Sequence, residues 1–217
     1  MRAIANGVIC LEGPSAVGKT TTSQALVDRH SAYIVPEVNK MFERPTPEPP
    51  NWYLERQVER WSIAQEKLQT HELVVFDGDP FQPLWYNWCF NFEGWQPLSV
   101  LRDFYRQQMI AQKIGFPDRY IILCKNEIEL RRQKENDLTR KRKGFEKHLQ
   151  LIEPQQRYFQ ALNTTVPGFA HLIEAKSVEQ NVENIIRHSS GISQPIEHRY
   201  SLNLFDALIE WLHRNQP

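Results

Sequence analysis

Cysteine is scarce in this chain. The three that occur in 217 residues, Cys10, Cys89 and Cys124, lie far apart. That spacing excludes a disulfide framework and a cysteine-based metal cluster. Cys10 and Cys124 fall in apolar, strand-like runs and read as small buried hydrophobes of a reducing compartment. Net charge is absent as well: 26 Lys and Arg balance 26 Asp and Glu, so no global field draws the chain to nucleic acid or to a membrane surface. No apolar stretch reaches the roughly 20 residues of a spanning helix. The N-terminus has neither the long apolar segment nor the cleavage site of a signal peptide. A cytoplasmic protein is expected, with no membrane association and with nucleic acid disfavoured as a partner. No internal repeat is found. The chain length fits one domain with a full core.

Against those absences stands one strong motif. Gly13-Pro14-Ser15-Ala16-Val17-Gly18-Lys19-Thr20 fits G-x-x-x-x-G-K-[ST], the phosphate-binding loop. Before it, Val8-Ile9-Cys10-Leu11-Glu12 reads as a buried strand; after it, Thr21-Thr22-Ser23-Gln24-Ala25-Leu26-Val27 can open a helix. Strand, glycine-bounded loop and helix are the context the motif requires. The glycines let backbone N–H groups turn inward around a polyphosphate, and the helix N-terminus adds donors and partial positive charge. The residues from Gly13 through Thr21 are therefore expected to bind ATP. Lys19 reaches the β- and γ-phosphates, and the Thr20 hydroxyl is placed for Mg²⁺.

Four further apolar runs read as strands: 32–35, 73–76, 120–124 and 171–175. Helical stretches separate them, which predicts a three-layer α/β/α fold on a five-stranded, mainly parallel sheet. Helices are expected through 53–70, over the Leu98-Leu101-Tyr105-Met109 face, and over 178–188. A long polar segment, 127–163, is expected to break or restart at Pro154. The Pro-rich stretch 44–50 is a loop, either a connector or a substrate-side flap. Residues 1–188 are read as the main domain. Residues 189–217 form an extension with an amphipathic helix carrying Leu204, Leu208, Trp211 and Leu212, which packs on the domain or forms a homodimer surface.

In an open parallel sheet, ligands bind beyond the carboxyl ends of the strands. Strand two ends in Val35-Pro36-Glu37 and strand three in Asp77-Gly78-Asp79-Pro80. Glu37 or Asp79 is a candidate base or orienting group for an acceptor hydroxyl, and Asp77 a candidate for the metal shell together with Thr20. Between strands four and five, the segment 127–147 carries an excess of Lys and Arg. It is a candidate lid whose arginines, Arg132 and Arg140 foremost, would stabilise a transferring phosphoryl group. A phosphorylated acceptor would need an arginine of its own, with Arg44, Arg56 and Arg60 as candidates. Aromatics are dense from Phe81 to Trp95; most are core, and a few could stack on a planar acceptor.

These residues resemble the nucleoside and nucleotide kinases of the P-loop NTPase class. The stretch Leu11–Thr21 looks like the opening of thymidylate kinases, and Val35-Pro36-Glu37 like the segment where deoxynucleoside kinases carry their glutamate base. The segment 127–162 resembles that group's lid and following helix. The resemblance implies an ATP- and Mg²⁺-dependent kinase acting on a hydroxyl or phosphate of a nucleoside, nucleotide or other small metabolite. One departure is clear: the arginine that usually follows the acid after strand three is missing from Asp77-Gly78-Asp79. A regulatory ATPase or nucleotide switch is the alternative, along with a phosphotransferase outside nucleotide metabolism. A GTPase is disfavoured, since no Asn-Lys-x-Asp motif occurs.

Overall fold

The computed structural model describes residues 7–137, 144–192 and 197–217. Five strands form the sheet: β1 (Gly7–Glu12), β2 (Ala32–Val35), β3 (Leu73–Asp77), β4 (Arg119–Cys124) and β5 (Ala170–Glu174). Their order across it is β2-β3-β1-β4-β5. Every pairing is parallel, with Leu11 opposite both Asp77 and Ile121. The inner strands β1, β3 and β4 run apolar and largely buried because helices cover both faces, while the edge strands β2 and β5 are partly exposed.

The sheet's pleat sorts its side chains by a period of two. Val8, Cys10, Val74, Phe76, Tyr120 and Ile122 face one core. Packed on that face are α3 (Trp52–Lys67), α4 (Gln82–Trp88), α5 (Leu98–Ile110), α8 (Ile152–Thr165) and α10 (Leu202–Arg214), through buried residues such as Trp61, Trp85, Leu101, Phe159 and Phe205. The alternate residues Ile9, Leu11, Val75, Ile121 and Leu123 face the other core. There Leu26 of α1 (Lys19–Arg29), Leu130 of α6 (Glu127–Asn136), Phe145 of α7 (Phe145–Leu149) and Ile185 of α9 (Val178–Ser189) close the layer. A short α2 (Val38–Met41) follows β2. The architecture is thus the three-layer α/β/α sandwich expected from the sequence, with a wholly parallel sheet.

The polar segment restarts near Pro154 as expected: α7 ends at Leu149 and α8 begins at Ile152, with Pro154 its third residue. There its missing N–H would have had no intrahelical partner in any case. The aromatic run after Phe81 hides a helix that periodicity does not reveal: α4 starts at Gln82 with Pro83 in its first turn. The amphipathic helix of the C-terminal extension is part of the first core, with Leu204, Phe205, Leu208 and Leu212 buried. Each such burial contributes on the order of 2 kcal/mol.

The extension is also tied to the amino end of the sheet. Asp118, fully buried, accepts the Val8 N–H at 2.7 Å and two Arg199 guanidinium bonds at 2.6 and 3.2 Å. The Phe116 N–H donates to the Arg199 carbonyl at 2.8 Å. Replacing Arg199 with alanine leaves a buried carboxylate without its cation and should lower unfolding free energy by about 3 kcal/mol in urea denaturation. A loss below about 1 kcal/mol, the worth of an exposed pair, would contradict this assignment.

Candidate active site

The carboxyl ends of β1, β2 and β3 open into a cavity of about 1090 Å³, lined from one side by the phosphate loop Gly13–Thr21 and from the other by α3, α4 and the loop before α3. The loop's shape follows from its residues. Gly13 has φ +139°, and a Cβ there would lie 2.4 Å from the Leu123 carbonyl oxygen, so only glycine fits. Gly18, at φ 103°, caps α1 from the left-handed region. Lys19 folds back over the loop and its ammonium donates to the carbonyls of Gly13 and Pro14. Thr20 and Thr21 begin α1, exposed, on the cavity wall.

Glu37 caps α2 directly beyond β2, and its side chain is about half exposed to the cavity. Asp77 ends β3. Its Oδ2 accepts the Lys40 ammonium at 2.6 Å, while its Oδ1 is buried without a hydrogen-bond partner. Asp79, two residues on, turns inward. It is fully buried, and its Oδ1 accepts the Phe81 N–H and the Tyr120 hydroxyl, each at 3.0 Å. Burial, with the Glu12 carboxylate adding to it, pushes the Asp79 carboxyl from its ordinary 3.8 up to about 7. Both candidate bases line the cavity: Glu37 is half exposed in it, whereas Asp79 is fully buried in its wall, with Oδ1 engaged and Oδ2 without a hydrogen-bond partner.

Three residues organise this rim: Glu12 and Lys40, which carry no role in the sequence analysis, and Arg60, which has a different one there. Glu12, the last residue of β1, accepts the N–H groups of Asp79 at 2.8 Å and Gly13 at 3.2 Å, and the Gln155 amide of α8 at 3.2 Å. Burial raises its carboxyl, with Lys19 pulling the other way. Arg60 of α3 is buried and was expected as a possible phosphate ligand. Instead its donors are spent on the chain's own carbonyls: Pro36 at 2.7 Å, Asp77 at 2.8 Å, Gly78 at 3.0 Å and Val35 at 3.4 Å, plus the Gln57 side chain at 2.5 Å. Lys40 pairs with Asp77 and lies 4.0 Å from Glu37. At the roughly 5 Å spacing of adjacent strand ends, two uncompensated carboxylates would repel by about 3 kcal/mol at an effective dielectric of 20.

The other arginines sort differently from expectation. Arg56 is absent from the cavity lining; it pairs with Glu59 at 2.5 Å and lies over the rings of Phe42 and Trp52. Arg44 does line the cavity, paired with Glu48 at 3.3 Å and set over Trp52 and Tyr53. The Pro-rich loop thus forms cavity wall through Arg44, Glu48 and Pro50. Arg132 is exposed on α6 and does not line the cavity. Arg131 is bound to Glu127 and Glu146. Arg140 lies outside the described residues. From α6 it is Gln133 that reaches the phosphate loop, with its amide 2.7 Å from the Ala16 carbonyl and 2.9 Å from the Lys125 ammonium.

The donor set fits Mg²⁺. Thr20 offers a hydroxyl and Asp77 a carboxylate with one oxygen unpartnered, both hard oxygen ligands on one cavity. No cluster of three or more His, Cys, Asp or Glu able to hold a metal by itself occurs among the described residues.

Comparison with known proteins bears on the fold. The structure is similar to the deoxyadenosine kinase from M. mycoides with bound dATP, at a TM-score of 0.54 and 17% identity, covering 86% of this chain and 98% of that one. It is similar to thymidylate kinase from Candida albicans, at 0.53 and 13%, covering 83% and 89%. Thymidylate kinase from Ehrlichia chaffeensis gives 0.52 and 13%, covering 84% and 97%. No family model and no curated protein matches the sequence. The chain therefore has the fold of the P-loop nucleotide kinases. Among the described residues no helix is long and apolar enough to cross a membrane.

The buried Asp79 has a measurable consequence. Its folded carboxyl keeps its proton where the unfolded one has lost it, so it makes stability fall as pH rises from about 4 to about 7. Asp79→Asn removes that titration. Urea unfolding at about pH 4.5 and about pH 7.5 should show a flatter dependence in the variant than in the wild type. A wild-type-to-variant difference that is independent of pH would contradict the assignment.

Proposed function

We propose that this protein is an ATP-dependent kinase that transfers the γ-phosphoryl group of Mg²⁺-ATP to the hydroxyl of an uncharged small molecule, a nucleoside or another hydroxylated metabolite. The observation that carries the reading is the meeting, in one cavity, of a phosphate loop built for a polyphosphate and an exposed carboxylate, Glu37, at the end of β2. The preference for an unphosphorylated acceptor rests on charge. Arg60 is consumed by backbone carbonyls, Arg56 is elsewhere, and Lys40 and Arg44 are each matched to a carboxylate. Glu12, Glu37, Glu48 and Asp77 leave this half of the cavity poor in unspent positive charge among the described residues.

The division of labour follows. Backbone N–H groups of Gly13–Thr21 hold the phosphates, and Lys19 offsets charge on the transferring group. Mg²⁺, held by Thr20 with Asp77, would neutralise charge on the β- and γ-phosphates. Glu37 accepts the acceptor's hydroxyl proton as the new oxygen–phosphorus bond forms. The bond from γ-phosphorus to the bridging oxygen breaks, and ADP leaves. Tyr53, Trp85, Tyr86 and Trp95 offer flat surfaces for a ring, and Gln57, Gln82 and Gln96 offer amides for its edge.

Two variants test this reading. Lys19→Ala should abolish transfer while leaving the folded circular dichroism spectrum intact; full turnover in that protein would end the kinase assignment. Glu37→Gln should lower kcat by at least about a hundredfold with a small change in the KM for ATP. An unchanged kcat would remove Glu37 as the base.

A further inference from the structure

Lys40 occupies a position that neither the phosphate loop nor the strand-end carboxylates explain. It sits in the last turn of α2, three residues after Glu37, and its backbone N–H donates to the Glu37 carbonyl at 2.9 Å. The short helix therefore fixes the lysine and the glutamate relative to each other. The Lys40 ammonium then bridges two strands: it is 2.6 Å from Asp77 Oδ2 at the end of β3 and 4.0 Å from Glu37 Oε1 beyond β2. Asp77 is nearly buried, with 7% of its side chain exposed, whereas Lys40 is 44% exposed and faces the cavity. This is not the pattern of a free surface pair, because one partner is held in the floor of the site.

The neighbouring cations are engaged elsewhere. Lys19 donates to loop carbonyls and Arg60 to the ends of β2 and β3. Among the described residues, Lys40 is the cation that meets both Glu37 and Asp77. A triphosphate entering beside these carboxylates adds more negative charge, so a cation between them matters most when the cavity is filled.

We propose that Lys40 is a positioning residue of the transfer site: bridged between Asp77 and Glu37, it holds the Glu37 carboxylate toward the acceptor hydroxyl and offsets the negative charge gathered at the two strand ends. The inference rests on the kinase reading above, with Glu37 as base. It also supplies the positive charge that the sequence Asp77-Gly78-Asp79 lacks directly after β3.

The test compares Lys40→Met and Lys40→Arg, using labelled ATP and an acceptor turned over by the wild type. Lys40→Met should lose about ten- to a hundredfold in kcat, with the KM for ATP held within about twofold. Its thermal midpoint should move by no more than about 4 °C, the effect of losing a partly exposed pair. Lys40→Arg keeps the charge and should retain most of the turnover. Lys40→Met at wild-type kcat, or equal loss of turnover in both variants, would overturn the inference and leave the kinase reading standing. A wild-type protein that phosphorylates no acceptor would overturn the kinase reading itself, and this inference with it.

Discussion

The geometry of the site depends on one buried guanidinium. Arg60 reaches from α3 to the carbonyls of Val35, Pro36, Asp77 and Gly78, and so ties together the carboxyl ends of β2 and β3. Val35 and Asp77 are the last residues of their strands, and Pro36 and Gly78 lie just past them, where the ladder ends. A neutral side chain there would leave buried acceptors unpaired at a cost of about 1–3 kcal/mol each. Because the two ends are held together, Glu37 and Asp77 project into the same cavity, and the turn at Gly78 carries Asp79 back into the core. Burial weakens the hold of Arg60 on its own proton, yet the surrounding carbonyl dipoles give its fixed fork a partner for nearly every donor.

Glu12 plays the matching part on β1. One carboxylate joins the start of the phosphate loop, the turn after β3 and helix α8, which follows the arginine-rich segment. The loop, the turn after β3 and the far wall of the cavity are thereby linked through a single buried acid. Its neighbours differ in what they can do. Glu37 is half exposed to the cavity and is the carboxylate to which we assign proton transfer, whereas Glu12 and the Oδ1 of Asp79 accept N–H and hydroxyl donors. Identical chemistry at three strand ends is divided into one half-exposed carboxylate and two buried ones.

The sheet and the backbone of the loop Gly13–Thr20 were legible in the sequence because they are set locally. Buried parallel strands are short apolar runs, and Gly13-x-x-x-x-Gly18-Lys19-Thr20 prescribes its own backbone. The amphipathic period of α10 was equally plain. Side-chain fates at the rim were not, because they depend on partners distant in sequence. Arg60 and Arg44 look alike as candidate phosphate ligands, yet one is consumed by carbonyls from two strands. Asp79 reads as a turn acid or a base, and nothing near it in sequence shows that Tyr120, from β4, donates to its Oδ1. Arg132 stands out in a basic run, but the turn of α6 puts Gln133 on the phosphate loop and leaves Arg132 in solvent. Gln57 carried one usable signal, three residues before Arg60 on the same helical face.

The fate of the γ-phosphoryl group tests the account most directly. With γ-labelled ATP, Mg²⁺ and matched pairs of unphosphorylated acceptors and their monophosphates, the label should appear as a phosphate ester on the hydroxyl of an uncharged acceptor, in step with ADP. Label released only as inorganic phosphate with every acceptor offered would contradict the transfer site. Label delivered preferentially to a monophosphate would contradict the charge argument that selects the acceptor.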